Sequence, residues 1–144
     1  SQPWIYVVNE LNSTVTMVRK TSAGHYVKGS SVSTLPEGYG EDNKCADIRI
    51  SPDGKFVYAS NRGHNSIAIF RVDSTSGSLQ PLAHQSVQGE WPRNFSLSPD
   101  GRFIIVANRH TNNLVSFRRD PSTGLLKYTD QIDAPSPVCI LFKN

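Results

Sequence analysis

Hydrophobic and polar residues alternate in short runs along this chain, and a turn signal ends each run. Phe56 and Tyr58 alternate with smaller residues across Lys55–Ser60, and Ile67 and Ile69 alternate with Ala68 and Phe70 across Ser66–Val72. A period of two places successive side chains on opposite faces, so both runs predict strands. Cys45–Ser51 predicts a strand before them, and Ser78–Val87 one after, where Pro81 indicates an outer, edge-like position. The punctuation has a mechanism. In Pro52-Asp53-Gly54 proline pre-sets φ and glycine tolerates a positive φ; Asn61–Asn65 and Asp73–Gly77 supply two further turns. Strand follows strand at about 8–12 residues with no helical period, the pattern of an all-β protein.

The pattern then repeats. Ser51–Gly77 and Ser98–Gly124 align without a gap, 47 residues apart, matching Asp53 to Asp100, Asn61 to Asn108, Phe70 to Phe117 and Asp73 to Asp120. A third copy, Trp4–Val18, places Asn9 on Asn61 and Asn108. A unit of four short strands repeating at a little under 50 residues predicts a β-propeller of four-stranded antiparallel blades. With strands lettered a to d from the axis outward, residues 1–36 form a partial blade (b, c, d). Residues 37–88 and 89–133 form complete blades, and residues 134–144 carry a lone inner strand, Pro137–Phe142, that would close a ring. Propellers have about 4–8 blades. Three blade-equivalents therefore imply a partner: either missing N-terminal blades or a second copy of the chain, whose exposed Trp4–Val8 edge the lone strand would pair.

Composition narrows the function classes. Fifteen basic against twelve acidic residues give a net charge of +3, spread along the chain, which does not point to nucleic acid. No apolar run approaches the roughly 20 residues that span a bilayer, and the N-terminus has no basic flank or cleavage pattern, so it reads as mature chain. Two cysteines, Cys45 and Cys139, are too few for a disulfide framework and sit nearly two blades apart. A reducing, cytoplasmic location is expected. His25, His64, His84 and His110 fall in dissimilar blade positions, so they are expected not to cluster and no metal site is read from them.

The ordered series Asn9-Glu10-Leu11, Ala46-Asp47-Ile48, Asn61-Arg62-Gly63, Pro92-Arg93-Asn94 and Pro137-Val138-Cys139 resembles the C-terminal part of the lactonase-type seven-bladed propellers. That family includes bacterial 6-phosphogluconolactonase and the fungal carboxymuconate lactonizing enzyme. The resemblance covers nearly the whole chain; about four blades of the family pattern are absent from it. It implies a site at the channel mouth, where b–c turns and d–a connections meet, built of a carboxylate, arginines and a histidine. The carboxylate of the Asn-Glu-Leu motif falls on Glu10, implying a general base, and the arginine of the Asn-Arg motif falls on Arg62, implying an anion clamp. Arg109 shares the blade position of Glu10 and Arg62. Arg93 opens an a strand, and Asp47 and Arg49 lie on another, so these four are substrate-binding candidates. The implied reaction is attack of water on the carbonyl of a small anionic lactone or sugar phosphate lactone, with no cofactor or metal. The family's histidine and one arginine lie upstream of Asn-Glu-Leu, and position 49 is Arg where the family has His. The chain carries half of such a site, and lactonase activity is expected only if the absent blades are supplied. A carboxymuconate-type cycloisomerase and a non-catalytic binding propeller remain the alternatives.

Overall fold

A computed structural model describes residues 4–143; residues 1–3, where the first unit opens, and residue 144 lie outside it. Eleven strands form: β1 (Trp4–Asn9), β2 (Thr14–Lys20), β3 (Tyr26–Ser33), β4 (Lys44–Ile50), β5 (Phe56–Arg62), β6 (Ser66–Val72), β7 (Leu79–Ser86), β8 (Pro92–Leu97), β9 (Phe103–Asn108), β10 (Asn113–Arg119) and β11 (Leu126–Asp133). They make three antiparallel meanders, β1-β2-β3, β4-β5-β6-β7 and β8-β9-β10-β11, each in sequence order. This is the strand order of propeller blades. Among the described residues no helix is long and apolar enough to cross a membrane.

The repeated turns explain the repeated sheets. The Asp53 carboxylate accepts hydrogen bonds from the Ser51 hydroxyl and from Lys55 N, while Ser51 Oγ accepts from Phe56 N at 3.0 Å. Ser98, Asp100, Arg102 N and Phe103 N repeat these bonds one blade later. Asp73 and Asp120 cap the c–d turns in the same way, each accepting two backbone N–H groups. Asn61 Nδ2 and Asn108 Nδ2, at the ends of the b strands, donate to the carbonyls of Thr34 and Val87 in the d–a connections, at 2.7 and 2.9 Å.

Packing runs between sheets. Every residue of β5 is buried. Phe56 and Tyr58 join Phe95, Ile104, Val106, Val115 and Phe117 of the third sheet in one apolar cluster. Val57 and Ala59, pointing to the opposite face, join Val15 of the first sheet in another. The middle blade is therefore covered on both faces and each outer blade on one. Two polar links recur at these interfaces. Tyr6 and Tyr58 donate their hydroxyls to the carbonyls of Gly77 and Gly124 in the next blade, at 2.7 and 2.8 Å. Burial pushes the Tyr58 hydroxyl up to about 12. Both glycines have positive φ, and a Cβ on either would overlap the ring of Trp4 or Phe56.

The second link joins inner strands. Asp47 accepts from Asn94 Nδ2 at 2.6 Å and Phe95 N at 3.2 Å, and Asn94 Oδ1 in turn accepts from Ile140 N at 2.8 Å. The bond from Ile140 N to Asn94 thus repeats, one sheet further on, the bond from Phe95 N to Asp47. The expected strand over Pro137–Phe142 is nevertheless not formed. A strand exists through its ladder, and the third sheet already ends at β8 and β11, leaving this segment side-chain anchoring but no neighbour with which to pair.

Candidate functional site

The residue after each b strand, or the last of it, is carried to the same end of its blade. Glu10 follows β1, and its carbonyl accepts Cys45 N at 3.0 Å, which ties the first b–c turn to the second sheet. Arg62 ends β5 and turns back across that junction. Its Nη2 donates to Glu10 Oε1 and to the Cys45 carbonyl, both at 2.6 Å, and its Nε to the Lys44 carbonyl at 3.4 Å. The Arg62 side chain is only 6% exposed, whereas that of Glu10 is 56% exposed. One partner is thus a fixed internal group and the other faces solvent.

The electrostatics follow from this arrangement. The hydrogen bond from Arg62 holds the Glu10 carboxyl below its ordinary value; the charge of Arg62 acts the same way, with smaller contributions from Lys44 and Arg93. Arg93 is exposed on β8, close enough for its charge to be felt at Glu10. Arg109 is also exposed, and its backbone N donates to the Trp91 carbonyl at 3.0 Å. The Trp91 ring lies 5.2 Å from Arg62 Cζ and stacks on His110 at 4.7 Å and 13°.

The expected residues separate into groups. Glu10 and Arg62 touch, with Arg93 within electrostatic reach. Asp47 and Arg49 form a pair of their own on β4 at 3.0 Å. A bulge interrupts the β4–β5 register between Cys45 and Ile48, and Asp47 accepts from Ile48 N as well as from Asn94 and Phe95. Its carboxylate is engaged in joining blades. Arg49 faces the first sheet, lining a recess with Trp4, Tyr6 and Ile48. The Lys44 and Cys45 carbonyls, which receive Arg62, carry no side-chain signal and were invisible in the sequence. Trp91 was visible only as an aromatic residue before the proline that opens a strand.

The histidines require a correction. His64 and His84 meet in a T-shaped arrangement at 5.6 Å, and Tyr39 packs against His64 at 4.9 Å. They are distant in blade position, but β7 folds back along β6 and pairs His84 with Ala68, bringing it level with the b–c turn. His64 is held below its ordinary value by burial and by His84. Among the described residues no three His, Cys, Asp or Glu side chains converge as a metal site. Cys45 is buried, with its thiol pushed up by burial, and Cys139 is exposed; both are free thiols.

Comparison with known proteins agrees with this architecture. The family described as "Lactonase, 7-bladed beta-propeller" matches residues 1–142. The 6-phosphogluconolactonase of Bacillus subtilis is 36% identical over 95 residues, covering 65% of this chain and 27% of that protein. The periplasmic gluconolactonase PpgL of Pseudomonas aeruginosa superposes with a TM-score of 0.90 at 32% identity, covering 95% of this chain and 38% of that one. A protein from Lactobacillus plantarum gives 0.91 at 33% identity, covering 95% and 40%. The chain therefore spans about a quarter of the curated relative and about two fifths of the solved structures. With three consecutive blades, and a family match that runs almost from end to end, the chain belongs to the lactonase family of seven-bladed β-propellers.

Proposed function

We propose that this chain supplies the Glu10–Arg62 half of a sugar-lactone hydrolase site acting on a small anionic lactone, with 6-phosphogluconolactone as the first substrate to try. The observation that carries the reading is the contact between a buried Arg62 and a solvent-facing Glu10 at the junction of two blades, 2.6 Å apart. The names of the relatives supply the substrate class. In the reaction, water adds to the lactone carbonyl and loses a proton to the Glu10 carboxylate. The ring C–O bond then breaks, and that proton passes to the leaving oxygen, giving the open acid. Arg62 keeps Glu10 ionised and places positive charge beside the oxyanion that develops. Because its Nη2 is engaged by Glu10 and Cys45, the exposed Arg93 and Arg109 are the cations assigned to the substrate's phosphate. Further blades, from upstream sequence or a second copy, supply the rest of the site.

A binding-only propeller is the second reading, and one observation favours it. A carboxylate held below its ordinary range is a weak base at neutral pH. Glu10→Gln separates the two readings. Light scattering first establishes the mass of the assembled species; hydrolysis of 6-phosphogluconolactone and binding of 6-phosphogluconate are then measured on it. A hydrolase loses about 10²–10⁴-fold in turnover while still binding the product. Turnover that is equal in the variant and the parent removes Glu10 from the chemistry, and turnover absent from a parent whose mass shows an assembled ring, with the product still bound, favours the binding module.

A further inference from the structure

Trp91 stands where its backbone does not favour it. Its φ is +64°, in the left-handed region where a bulky residue is a rare occupant and glycine is the low-strain choice. The turn demands this geometry. Ser136, which likewise directly precedes a proline that opens an inner segment, has a φ of +45°. The turn does not demand an indole, since serine serves at the second position. The strain at Trp91 is therefore offset by what its side chain touches.

Those contacts converge on the candidate pair. The indole lies 5.2 Å from Arg62 Cζ, within the range of a cation–π attraction. It is itself held from two blades. Trp91 N donates to Asn65 Oδ1, in the turn that follows Arg62, at 3.0 Å. The Trp91 carbonyl accepts from Arg109 N at 3.0 Å, and the next residue, His110, stacks on the ring. A ring so fixed restricts a long, flexible guanidinium to the orientation in which Nη2 reaches Glu10 and Cys45 together.

We propose that Trp91 is a positioning residue, whose indole holds the Arg62 guanidinium against Glu10. The assignment rests on the reading of Glu10 and Arg62 as the working pair, but its test does not depend on turnover. With the ring removed, Arg62 gains freedom, its hydrogen bond to Glu10 weakens, and the Glu10 carboxyl binds its proton more tightly.

The experiment is a carbon-13 NMR titration of glutamate side-chain carboxyls in the full chain. There are four glutamates, and Glu10 is assigned by the signal lost in Glu10→Gln. Trp91→Gly removes the ring and relieves the left-handed strain, so the fold is expected to survive. Trp91→Leu, the second variant, retains bulk without a π face, and Trp91→Phe retains the π face. About threefold tighter proton binding at Glu10, roughly half a pKa unit, is expected in the Gly and Leu variants, with the Phe variant close to the parent. A Glu10 titration unmoved by Gly and Leu, or moved equally by Phe and Leu, overturns the proposal. If the titration shifts as expected while a parent assembled into a closed ring shows no lactone hydrolysis, the hydrolase reading falls and the role of Trp91 stands.

Discussion

Arg62 and Glu10 form one ion pair, yet the two residues answer to different physics. Glu10 is a surface carboxylate, and its value lies in its charge. Arg62 is enclosed, and its fork also serves two backbone carbonyls. Arg62→Ala is expected to lower stability by about 1–3 kcal/mol, because the Cys45 carbonyl loses its charged donor inside the junction. Arg62→Lys keeps the charge but not the planar fork, and is expected to recover only part of that loss. Urea denaturation of the three proteins checks the order, and equal midpoints would show that the fork does not support the fold. The repeat placed Glu10, Arg62 and Arg109 at equivalent points, each after an asparagine, and it was the resemblance to the lactonase propellers that singled out the first two. It did not reveal that Arg62 turns inward while Arg109, at the same point of the next blade, stays exposed. The partner that draws Arg62 in lies on a different blade, and the acceptors beneath it are carbonyls, which every residue has.

At the scale of elements, the turns were the most legible part of the chain, because their chemistry is local. Ser51, Asp53 and Gly54 close a turn through bonds spanning at most five residues, so the motif carries its own structure wherever it recurs. The terminal segment shows the reverse case. Pro137–Phe142 has the composition of a strand and docks through Ile140, but among the described residues it pairs with no other strand. The meeting of His64 and His84 was equally hidden, since it depends on the register between β6 and β7.

Two predictions belong to these turns. Asp100 is held well below the ordinary carboxylate range by the Ser98 hydroxyl and Arg102 N; Asp73 is lowered by the N–H groups of Ser76 and Thr75, and Asp120 by those of Thr123 and Ser122. A carboxyl with a lowered folded-state value contributes stability above its unfolded value, near 4, and loses it as pH falls through the folded value. The melting temperature is therefore expected to decline slightly between about pH 7 and 5, where the unfolded chain binds the proton that the packed His64 resists, and to drop more steeply below about pH 4. Asp100→Asn should flatten that drop, and a profile identical to the parent's would count against the turn carboxylates as its source. The second prediction separates backbone strain from crowding. Gly54 and Gly124 both have positive φ, but a Cβ at Gly54 meets open space while one at Gly124 meets the Phe56 ring. Gly54→Ala is expected to lower stability by about 1 kcal/mol. Gly124→Ala adds an overpacking cost of about 1–3 kcal/mol. Thermal melts that place the two variants together would show that the blades can slide apart to admit a methyl group.

Across the whole molecule, stability is expected to be graded by how many faces of a blade are covered. β5 lies in the middle sheet between two apolar clusters, and all its side chains are buried. β3 and β11 are outer-edge strands of the flanking sheets, and most of their residues are exposed. Opening an amide for exchange at the edge uncovers little apolar surface, whereas opening β5 separates both interfaces at once. The Tyr58 hydroxyl adds a polar lock to one of these interfaces. Tyr58→Phe leaves the Gly124 carbonyl without this donor and is expected to lower stability by about 1–3 kcal/mol. Native-state hydrogen exchange should therefore find the slowest amides in β5 and β6 and the fastest in β3 and β11. In Tyr58→Phe, exchange in β5 should accelerate together with exchange in β9, because one interface serves both. Acceleration confined to β5 would mean that the blades open independently. Uniform protection across all three sheets would mean that burial between blades does not set the order in which this chain comes apart.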